Sequence, residues 1–258
     1  MSYIELEERN KTAIIRFNRE KSFNAMNGAL IVEFAQKVRL IEQTDFRTII
    51  LTGRGAAFSA GGDVISMMET ARSERGKFFN RLTFPLHEAI LNIAKSDKIW
   101  IAAVNGVAAG AGVSVALACD MTVASEDAKF ILSYEKIGLT PDGGATFFLT
   151  HLLGFKKAIE IVLKDPVIDV HEALRINIIN QYFKNDQLLS GALSIAESIN
   201  EKSQDAMTAS KRLIRKPYLD SLKEQLNRES RSIAKLSETE NAEIGMKAFI
   251  EKKFPKFK

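Results

Sequence analysis

A stretch of apolar and small residues from Ile99 to Asp120 constrains the fold of this chain more than any other feature. It begins with an apolar run, Ile99 to Val104, whose length and β-branched residues indicate a buried strand. A turn at Asn105-Gly106 and a Gly/Ala-rich segment follow, and Val113 to Cys119 then predicts a buried helix. A strand that passes through such a turn into a helix leaves the first N–H groups of the helix without partners, so that they can hold a negative oxygen.

Phosphate-binding loops match this turn poorly. A Walker loop requires Lys and then Ser or Thr after its last Gly, whereas Val113 follows Gly112 here. A dinucleotide fingerprint requires a third Gly where this chain has Val115. A Gly-Ala-Gly turn is also typical of close packing between a helix and a sheet, so this stretch alone leaves binding and packing roles open.

A second stretch, Thr48 to Val64, repeats the same order of elements. An apolar strand leads through a polar loop to Ala60-Gly61-Gly62-Asp63, which opens a helical segment. Two turns of this kind can direct two backbone N–H groups at one oxygen, which is the geometry of an oxyanion hole.

Three motifs then occur in a fixed order: "FSAGGD", "AVNGVAAGAG" and "KIGLTPDGGAT". Together they resemble the enoyl-CoA hydratase/isomerase (crotonase) superfamily, and the likeness extends from "TAIIRFNREKSFNAMN" near the start to "AFIEKKFPKFK" at the end. The resemblance implies an α/β fold: a crotonase (ClpP-like) spiral of ββα units over residues 1–200. A C-terminal helical trimerisation region over residues 201–258 completes a single functional unit.

Composition and charge limit the other function classes. The chain has 258 residues, 46% of them hydrophobic, and no linker-like segment separates two halves. No apolar run reaches membrane-spanning length, the N-terminus is too acidic for a signal peptide, and the single Cys119 excludes an internal disulfide. We therefore expect a cytoplasmic protein with no membrane partner.

The net charge of +4 is concentrated after Lys211, where basic residues outnumber acidic ones. Such a region suits an anionic ligand or a nucleic acid, and equally a solvated helix face. Some crotonase relatives bind RNA, but the chain lacks a recognisable RNA-binding module, so we do not expect a nucleic-acid partner.

The helical segments are predicted to be interrupted at two places. A polar segment from Val64 to about Arg81 is predicted as a lid that is separate from a helix over Leu86 to Lys95. Pro217 is predicted to break the helical end of the chain, which begins at Ser203.

The resemblance also implies the substrate, a CoA thioester whose carbonyl oxygen is held by the N–H groups of Gly62 and Ala111. Coenzyme A is then part of the substrate, and no separate cofactor or metal is expected.

Hydratases of the family have two Glu at positions that hold Ser114 and Tyr134 here. The adjacent Glu135 is predicted to point the opposite way, because neighbouring residues of an extended segment alternate. Hydration requires two acid–base groups, so the pattern argues against efficient hydration.

Asp142, in "TPDGG", is the carboxylate that remains. Family members without the two Glu that have an acid at this position shift double bonds, as Δ3,Δ2-enoyl-CoA isomerases and the phenylacetate-pathway isomerase do. One base suffices there: it removes a proton from C2 and returns it at C4. By pattern alone, Asp142 is equally typical of a turn or a helix N-cap.

Four alternatives remain open beside the isomerase, the last of which is a CoA-binding scaffold without catalytic activity. One is a hydratase with a non-standard acid, and another is an RNA-binding relative. The third is a halide-displacing aryl-CoA dehalogenase, because His87 lies where 4-chlorobenzoyl-CoA dehalogenase has an active-site His and Asp142 where it has its nucleophile. His151 and His171 have no metal-type spacing with His87.

Further ligand contacts are predicted in three groups. The CoA-binding loop contributes Lys21, Phe23 and Ala25, and apolar residues of the acyl pocket lie near Ala60. A neighbouring subunit is expected to contribute C-terminal residues, because family members form homotrimers that often pair into hexamers. The pocket candidates are Ala60, Met67, Met68, Leu82, Phe84 and Phe130, and the C-terminal candidates are Lys252, Lys253 and Phe254.

Overall fold

A computed structural model describes residues 2–258 as a mixed α/β fold. Its strands have two to six residues, and its longest helix lies near the C-terminus. The strands are β1 (Ile4–Arg9), β2 (Thr12–Phe17), β3 (Thr48–Gly53), β4 (Ala57–Ser59), β5 (Ile99–Val104), β6 (Val107–Ala109), β7 (Met121–Ser125), β8 (Lys129–Ile131), β9 (Ile168–Asp169) and β10 (Gln181–Phe183). The helices are α1 (Gly28–Ile41), α2 (Val64–Glu69), α3 (Arg75–Lys95), α4 (Ala111–Ala118), α5 (Ala145–Leu153), α6 (Phe155–Lys164), α7 (Val170–Arg175), α8 (Leu188–Asn200), α9 (Gln204–Ser237) and α10 (Glu240–Ile250).

Two sheets are built from consecutive strand pairs. The larger has the order β1-β2-β3-β5-β7-β10, and the smaller has the order β4-β6-β8-β9. Each of the pairs β3/β4, β5/β6 and β7/β8 contributes one strand to each sheet, so the chain advances along both sheets at every turn. Only β1 with β2 and β8 with β9 are antiparallel within the described residues. This arrangement is the spiral of ββα units that the sequence predicts.

The larger sheet is buried on both faces, as its β-branched sequence requires. Ile49 and Leu51 of β3 face the main core, which lies between the sheet and helices α1 and α3. Ile50 between them faces the opposite way and packs against Leu188 and Ala192 of α8. Alternate residues of one strand therefore anchor helices on two sides, which holds the strand ends rigidly in place.

Helices α3 and α9 are continuous through the two places where the sequence predicted an interruption. Pro85 lies inside the continuous helix α3, and Pro217 lies inside α9, so both predicted interruptions are wrong. An internal proline costs a helix about 3 kcal/mol because it removes one hydrogen bond. Tertiary packing offsets this cost, since α3 and α9 lie against each other and bury Leu86, Leu222 and Leu226.

The C-terminal helices pack onto the spiral of the same chain. Lys211 of α9 is buried, and its Nζ donates to the Lys98 carbonyl at 2.6 Å and to Asp120 Oδ2 at 2.7 Å. Arg215, one turn further along, also binds Asp120. In the described part of the chain, no helix is both long and apolar enough to cross a membrane.

Candidate active site

The two glycine-rich turns meet at the ends of β4 and β6. Gly61 has a φ of +84°, and a Cβ added there would lie 2.7 Å from the Ala109 carbonyl oxygen. Gly110 has a φ of +47°, and a Cβ there would lie 3.8 Å from the Gly61 Cα. Such close backbone approach and positive φ values require glycine. Strand pairing between β4 and β6 therefore brings together two turns that lie about fifty residues apart in sequence.

Each turn presents a backbone N–H group that has no acceptor within residues 2–258. Beside Gly62, the Met26 N–H donates to the Gly61 carbonyl and the Asp63 N–H donates to Met26, but the Gly62 N–H has no such partner. Ala111 is the first residue of α4, so its N–H has no partner in the helix. The positive end of the α4 dipole lies at the same place.

A largely apolar cavity lies beside these N–H groups. Helices α1, α3, α9 and α10 contribute its far wall, and the segment after β8 contributes the near wall. Asp142 is the only acidic residue that lines it within residues 2–258. The lining residues are Met26, Ile31, Ala60, Gly61, Gly62, Val64, Met67, Phe79, Leu82, Thr83, Leu86, Gly110, Ala111, Leu132, Ser133, Tyr134, Ile137, Leu139, Asp142, Ile233 and Phe249.

The backbone of Asp142 is held by the side chains of Ser114 and Tyr134. Ser114 Oγ donates to the Asp142 carbonyl at 2.6 Å, and the Tyr134 hydroxyl donates to the same oxygen at 3.3 Å. Burial raises the pKa of the Tyr134 phenol, so its hydroxyl remains a donor. Ser114 is fully buried and Tyr134 lines the cavity. Both side chains therefore serve here as backbone anchors of Asp142.

His87 binds the side chain of Asp142. It lies on α3, and its Nε2 is 2.7 Å from Asp142 Oδ1, with both residues buried. A His that donates this hydrogen bond fixes one carboxylate oxygen, and Oδ2 has no hydrogen-bond partner within residues 2–258. The sequence placed His87 among the candidates only through the dehalogenase resemblance, and the structure brings it into direct contact with Asp142.

Glu229 of α9 is a further buried acid that sequence reasoning missed. Its carboxylate accepts hydrogen bonds from the Gly144 N–H at 2.6 Å and the Thr146 N–H at 3.0 Å, and from the Thr146 hydroxyl. Burial, and then the charge of Asp142, raise the pKa of Glu229 to about 7. One signal was available: Glu229 falls in the apolar stripe formed by Leu222, Leu226 and Ile233.

Glu135, the other candidate acid, lies away from the cavity. It begins a short 3-10 turn and is not among the lining residues. Burial raises its pKa to about 7, and its Oε2 has no partner in the described residues. The segment is a 3-10 turn and not the extended stretch from which its orientation was predicted, and Glu135 is absent from the cavity wall.

The predicted acyl-pocket residues divide into two groups. Ala60, Met67 and Leu82 line the cavity. Phe84 and Phe130 do not: Phe84 is 66% exposed on the outer side of α3, and Phe130 is buried in the core behind β8. The placement of these two in the pocket is wrong because a helix turns 100° per residue and a strand alternates its faces.

Met68 is also absent from the cavity wall. Its sulfur lies 3.5 Å from a guanidinium nitrogen of Arg75 instead. Met67 faces the Gly62 turn, since a Cβ on Gly62 would lie 2.4 Å from the Met67 Cε. Of the two consecutive methionines, α2 therefore turns only Met67 toward the site.

The predicted CoA-binding loop lies next to the turn that contains Gly61 and Gly62. Lys21, Phe23 and Ala25 of this loop do not line the cavity. The Phe23 carbonyl accepts from the Ala60 N–H at 2.9 Å, and the Ala25 carbonyl accepts from Arg19 at 2.9 Å. Lys21 and Phe23 are exposed on the outer side of this loop. Their side chains are thus available to a ligand that extends outward from the turn.

The predicted C-terminal contacts lie on the surface of the chain. Lys252 and Lys253 are exposed, and Phe254 is 98% exposed. By contrast, Phe249 of α10, which was not predicted, lines the cavity of its own chain. The end of α10 therefore reaches the site, and the three predicted residues are exposed on the surface after it.

One group of side chains in the described residues meets the spacing of metal ligands. Atoms of His87, Asp142 and Glu229 lie within 4.8 Å of one another. The two oxygens of Glu229 already accept from three donors, and His87 is hydrogen-bonded to Asp142. A metal ion would have to displace these contacts, so the donor set fits a shared proton better than a cation.

A spiral of ββα units with two converging backbone N–H groups above an apolar cavity defines the crotonase class of fold. The family model described as enoyl-CoA hydratase/isomerase matches residues 7–258. The chain therefore belongs to the enoyl-CoA hydratase/isomerase family.

Relatives within this family carry different activities in their names. The chain is 32% identical over 250 residues to the short-chain-enoyl-CoA hydratase of Clostridium acetobutylicum, covering 96% of this chain and 94% of that protein. It is 31% identical over 198 residues to 4-chlorobenzoyl coenzyme A dehalogenase-1 of an Arthrobacter species, covering 76% of this chain and 72% of that protein. The solved structure of enoyl-CoA hydratase from Bacillus halodurans superimposes with a TM-score of 0.90 at 26% identity, over 96% of this chain and all of that one.

Proposed function

We propose that this protein is an acyl-CoA double-bond isomerase that converts 3-enoyl-CoA to 2-enoyl-CoA through a dienolate. The supporting observation is that Asp142 is the single acidic residue lining the cavity, within residues 2–258. Hydration requires one group to orient water and another to supply the second proton, whereas a double-bond shift needs one group that takes and returns the same proton.

In this mechanism the thioester carbonyl oxygen accepts from the N–H groups of Gly62 and Ala111. Asp142 removes a proton from C2, and the electrons of the broken C–H bond move to the thioester oxygen, forming the dienolate. The protonated Asp142 then returns the proton at C4 and the double bond shifts to C2–C3. Each backbone donor in such a site is worth roughly 3–4 kcal/mol of transition-state stabilisation.

The anchoring of Asp142 suits this shuttle. Its carbonyl is held by Ser114 and Tyr134 and its Oδ1 by His87, so Oδ2 is the oxygen left for the substrate. A carboxylate held in this way swings little, which favours transfer of the proton from C2 to C4, two carbons along one bound chain.

The test is Asp142→Asn, which keeps the size of the side chain and an acceptor for His87. We expect conjugation of 3-enoyl-CoA, followed by ultraviolet absorbance, to fall by roughly 10²–10⁴-fold. Asp186→Asn is the matched control, because Asp186 is exposed and lies outside the cavity. Fast hydration of 2-enoyl-CoA without isomerisation, or an Asp142→Asn variant of full activity, would contradict the proposal.

A second candidate function rests on the hydrogen bond between His87 and Asp142. Attack of an Asp142 oxygen on a halogenated aryl carbon of an aryl-CoA would release halide and form an aryl ester on the enzyme. A water that passes its proton to His87 would then hydrolyse that ester at the Asp142 carboxyl carbon. Halide release from 4-chlorobenzoyl-CoA, with incorporation of labelled water oxygen into Asp142, would favour this reaction over the isomerase.

The proposal includes an assembly of identical subunits. Lys252, Lys253 and Phe254 project from the chain beyond the end of α10, which supports a contact with the CoA of a neighbouring subunit. Light scattering during size-exclusion chromatography should give the mass of a homotrimer or hexamer. A monomer of full activity would remove the neighbouring subunit from the mechanism.

A further inference from the structure

The middle of α9 places an acidic side chain inside the protein beside the catalytic turn. Glu229 is 4% exposed, and no Lys or Arg pairs with it among the described residues. Acidic residues are rarely buried this far unless they are paired. An oxygen of Glu229 lies within 4.8 Å of ligand atoms of both His87 and Asp142, so its contacts belong to the same cluster.

The Glu229 carboxylate supplies the cap that the sequence of α5 lacks. The residue before α5 is Gly144, which has no side chain to accept from the first N–H groups of the helix. Glu229 accepts from the Gly144 N–H at 2.6 Å and from Thr146 at 3.0 Å instead. An anion at a helix N-terminus is also favoured by the helix dipole.

This cap fixes the turn that carries Asp142. Gly143 and Gly144 have φ values of +67° and +81°, so the turn contains two consecutive left-handed residues. Ser114 holds the Asp142 carbonyl on one side of the turn, and Glu229 holds the Gly144 N–H on the other side. The direction of the Asp142 side chain therefore depends on a residue 85 positions away from Gly144.

The charge of Glu229 is coupled to the same cluster. The titratable groups that face it are Asp142 from the turn, His87 from α3 and Tyr134 from the segment after β8. Burial and the charge of Asp142 raise the pKa of Glu229 to about 7, so its carboxyl group changes charge between pH 6 and 8. Ionised Glu229 places a second negative charge beside Asp142, where it repels the negative charge of an ionised Asp142.

We infer that Glu229 is a positioning residue for the reaction of Asp142: it aims the catalytic turn and, through its charge, sets the strength of the base. This inference rests on the proposed isomerase function. It makes the C-terminal helix α9 part of the catalytic apparatus of its own chain.

The experiment compares Glu229→Gln with Glu224→Gln on the same helix, whose exposed carboxylate pairs with Arg228. We expect kcat of the intact enzyme for 3-enoyl-CoA to rise roughly tenfold from pH 6 to 8, with an inflection near pH 7, as Glu229 ionises. The inflection should vanish in Glu229→Gln and persist in Glu224→Gln, with KM changed less than twofold. Glu229→Asp, which keeps the charge and shortens the reach, should lower kcat and retain the inflection.

A second readout does not depend on catalysis. The chain has three histidines, so the ring signals of His87 can be followed by nuclear magnetic resonance. At a fixed pH of 8 we expect the His87 ring signals to differ between the wild type and Glu229→Gln, and to be the same in the wild type and Glu224→Gln. If the isomerase assay fails and this difference is seen, only the proposed reaction is wrong. Identical pH profiles and His87 signals in the wild type and Glu229→Gln would overturn the inference.

Discussion

Replacement of Gly61 by Ala tests how closely the two oxyanion turns must approach. Gly61 has a φ of +84°, and a Cβ there would lie 2.7 Å from the Ala109 carbonyl oxygen, where ordinary contacts begin at 3.4 Å. Because the obstacle is backbone, the turns must separate by about 0.7 Å. Gly62 and Gly110 flank this contact, so the distance between the N–H groups of Gly62 and Ala111 increases.

We expect kcat/KM of Gly61→Ala to fall about 10²-fold, because a misplacement approaching 1 Å or the loss of one oxyanion donor each has an effect of this order. This corresponds to about 2.7 kcal/mol of transition-state stabilisation. The left-handed backbone adds a stability cost of about 1 kcal/mol.

Gly154→Ala is the matched control for Gly61→Ala. Gly154 also has a positive φ, +76°, but among residues 2–258 no atom beyond its chain neighbours lies within 4 Å of the position of its added Cβ. The stability of Gly154→Ala should fall by about as much as that of Gly61→Ala, while its kcat/KM with 3-enoyl-CoA stays unchanged. Wild-type kcat/KM in a folded Gly61→Ala protein would refute the assignment of Gly62 and Ala111 as oxyanion donors.

Three further outcomes follow from the contacts of the site. Ser114→Ala removes a buried 2.6 Å hydrogen bond to the Asp142 carbonyl. We therefore expect the free energy of unfolding, measured with urea, to fall by about 1–3 kcal/mol and kcat to fall as well. If both values are unchanged, Ser114 does not anchor Asp142. The pKa of Glu135 rises from 4.5 to about 7 on folding, so the folded state loses stability as pH increases between these values. Relative to Glu135→Gln, the wild type should lose stability from pH 4.5 to 8, by less than the full pKa shift implies because Glu135 is only partly buried, and parallel stability curves would contradict this. Dialysis against a chelator should leave activity intact, because His87 and Glu229 are already hydrogen-bonded; restoration of lost activity by a divalent cation would identify a metal site.

The spiral core was predicted through the family resemblance that its local motifs carry, whereas periodicity alone indicates only an α/β fold. The strand before each glycine turn is a continuous apolar run, and the turns at Gly61 and Gly110 require glycine for backbone reasons. The two helices that continue through Pro85 and Pro217 could not be predicted in the same way. Their continuity depends on packing between α3 and α9, and local propensity contains no information about that contact.

The residues around Asp142 could likewise be identified from local motifs, but their contacts depend on segments that are distant in sequence. Ser114 and Tyr134 were identified as departures from the hydratase pattern, but their contact with the Asp142 carbonyl depends on how three segments meet. Phe84 and Phe130 were misplaced because one-residue differences on a helix or strand change the face of the element.

Glu229 was not predicted from the sequence, but its position in α9 contains a signal that could have identified it. In α9 the buried positions include Leu222, Leu226 and Ile233, and Glu229 occupies the same stripe at helical spacing. The stripe reads as an ordinary amphipathic helix face, in which one acid is easily assigned to solvent. A carboxylate that must be desolvated to occupy such a position needs a partner there, and the partner proves to be the turn that carries Asp142. A charged residue inside an apolar helical stripe therefore indicates a buried polar site next to that residue, even when every recognised motif lies elsewhere in the chain.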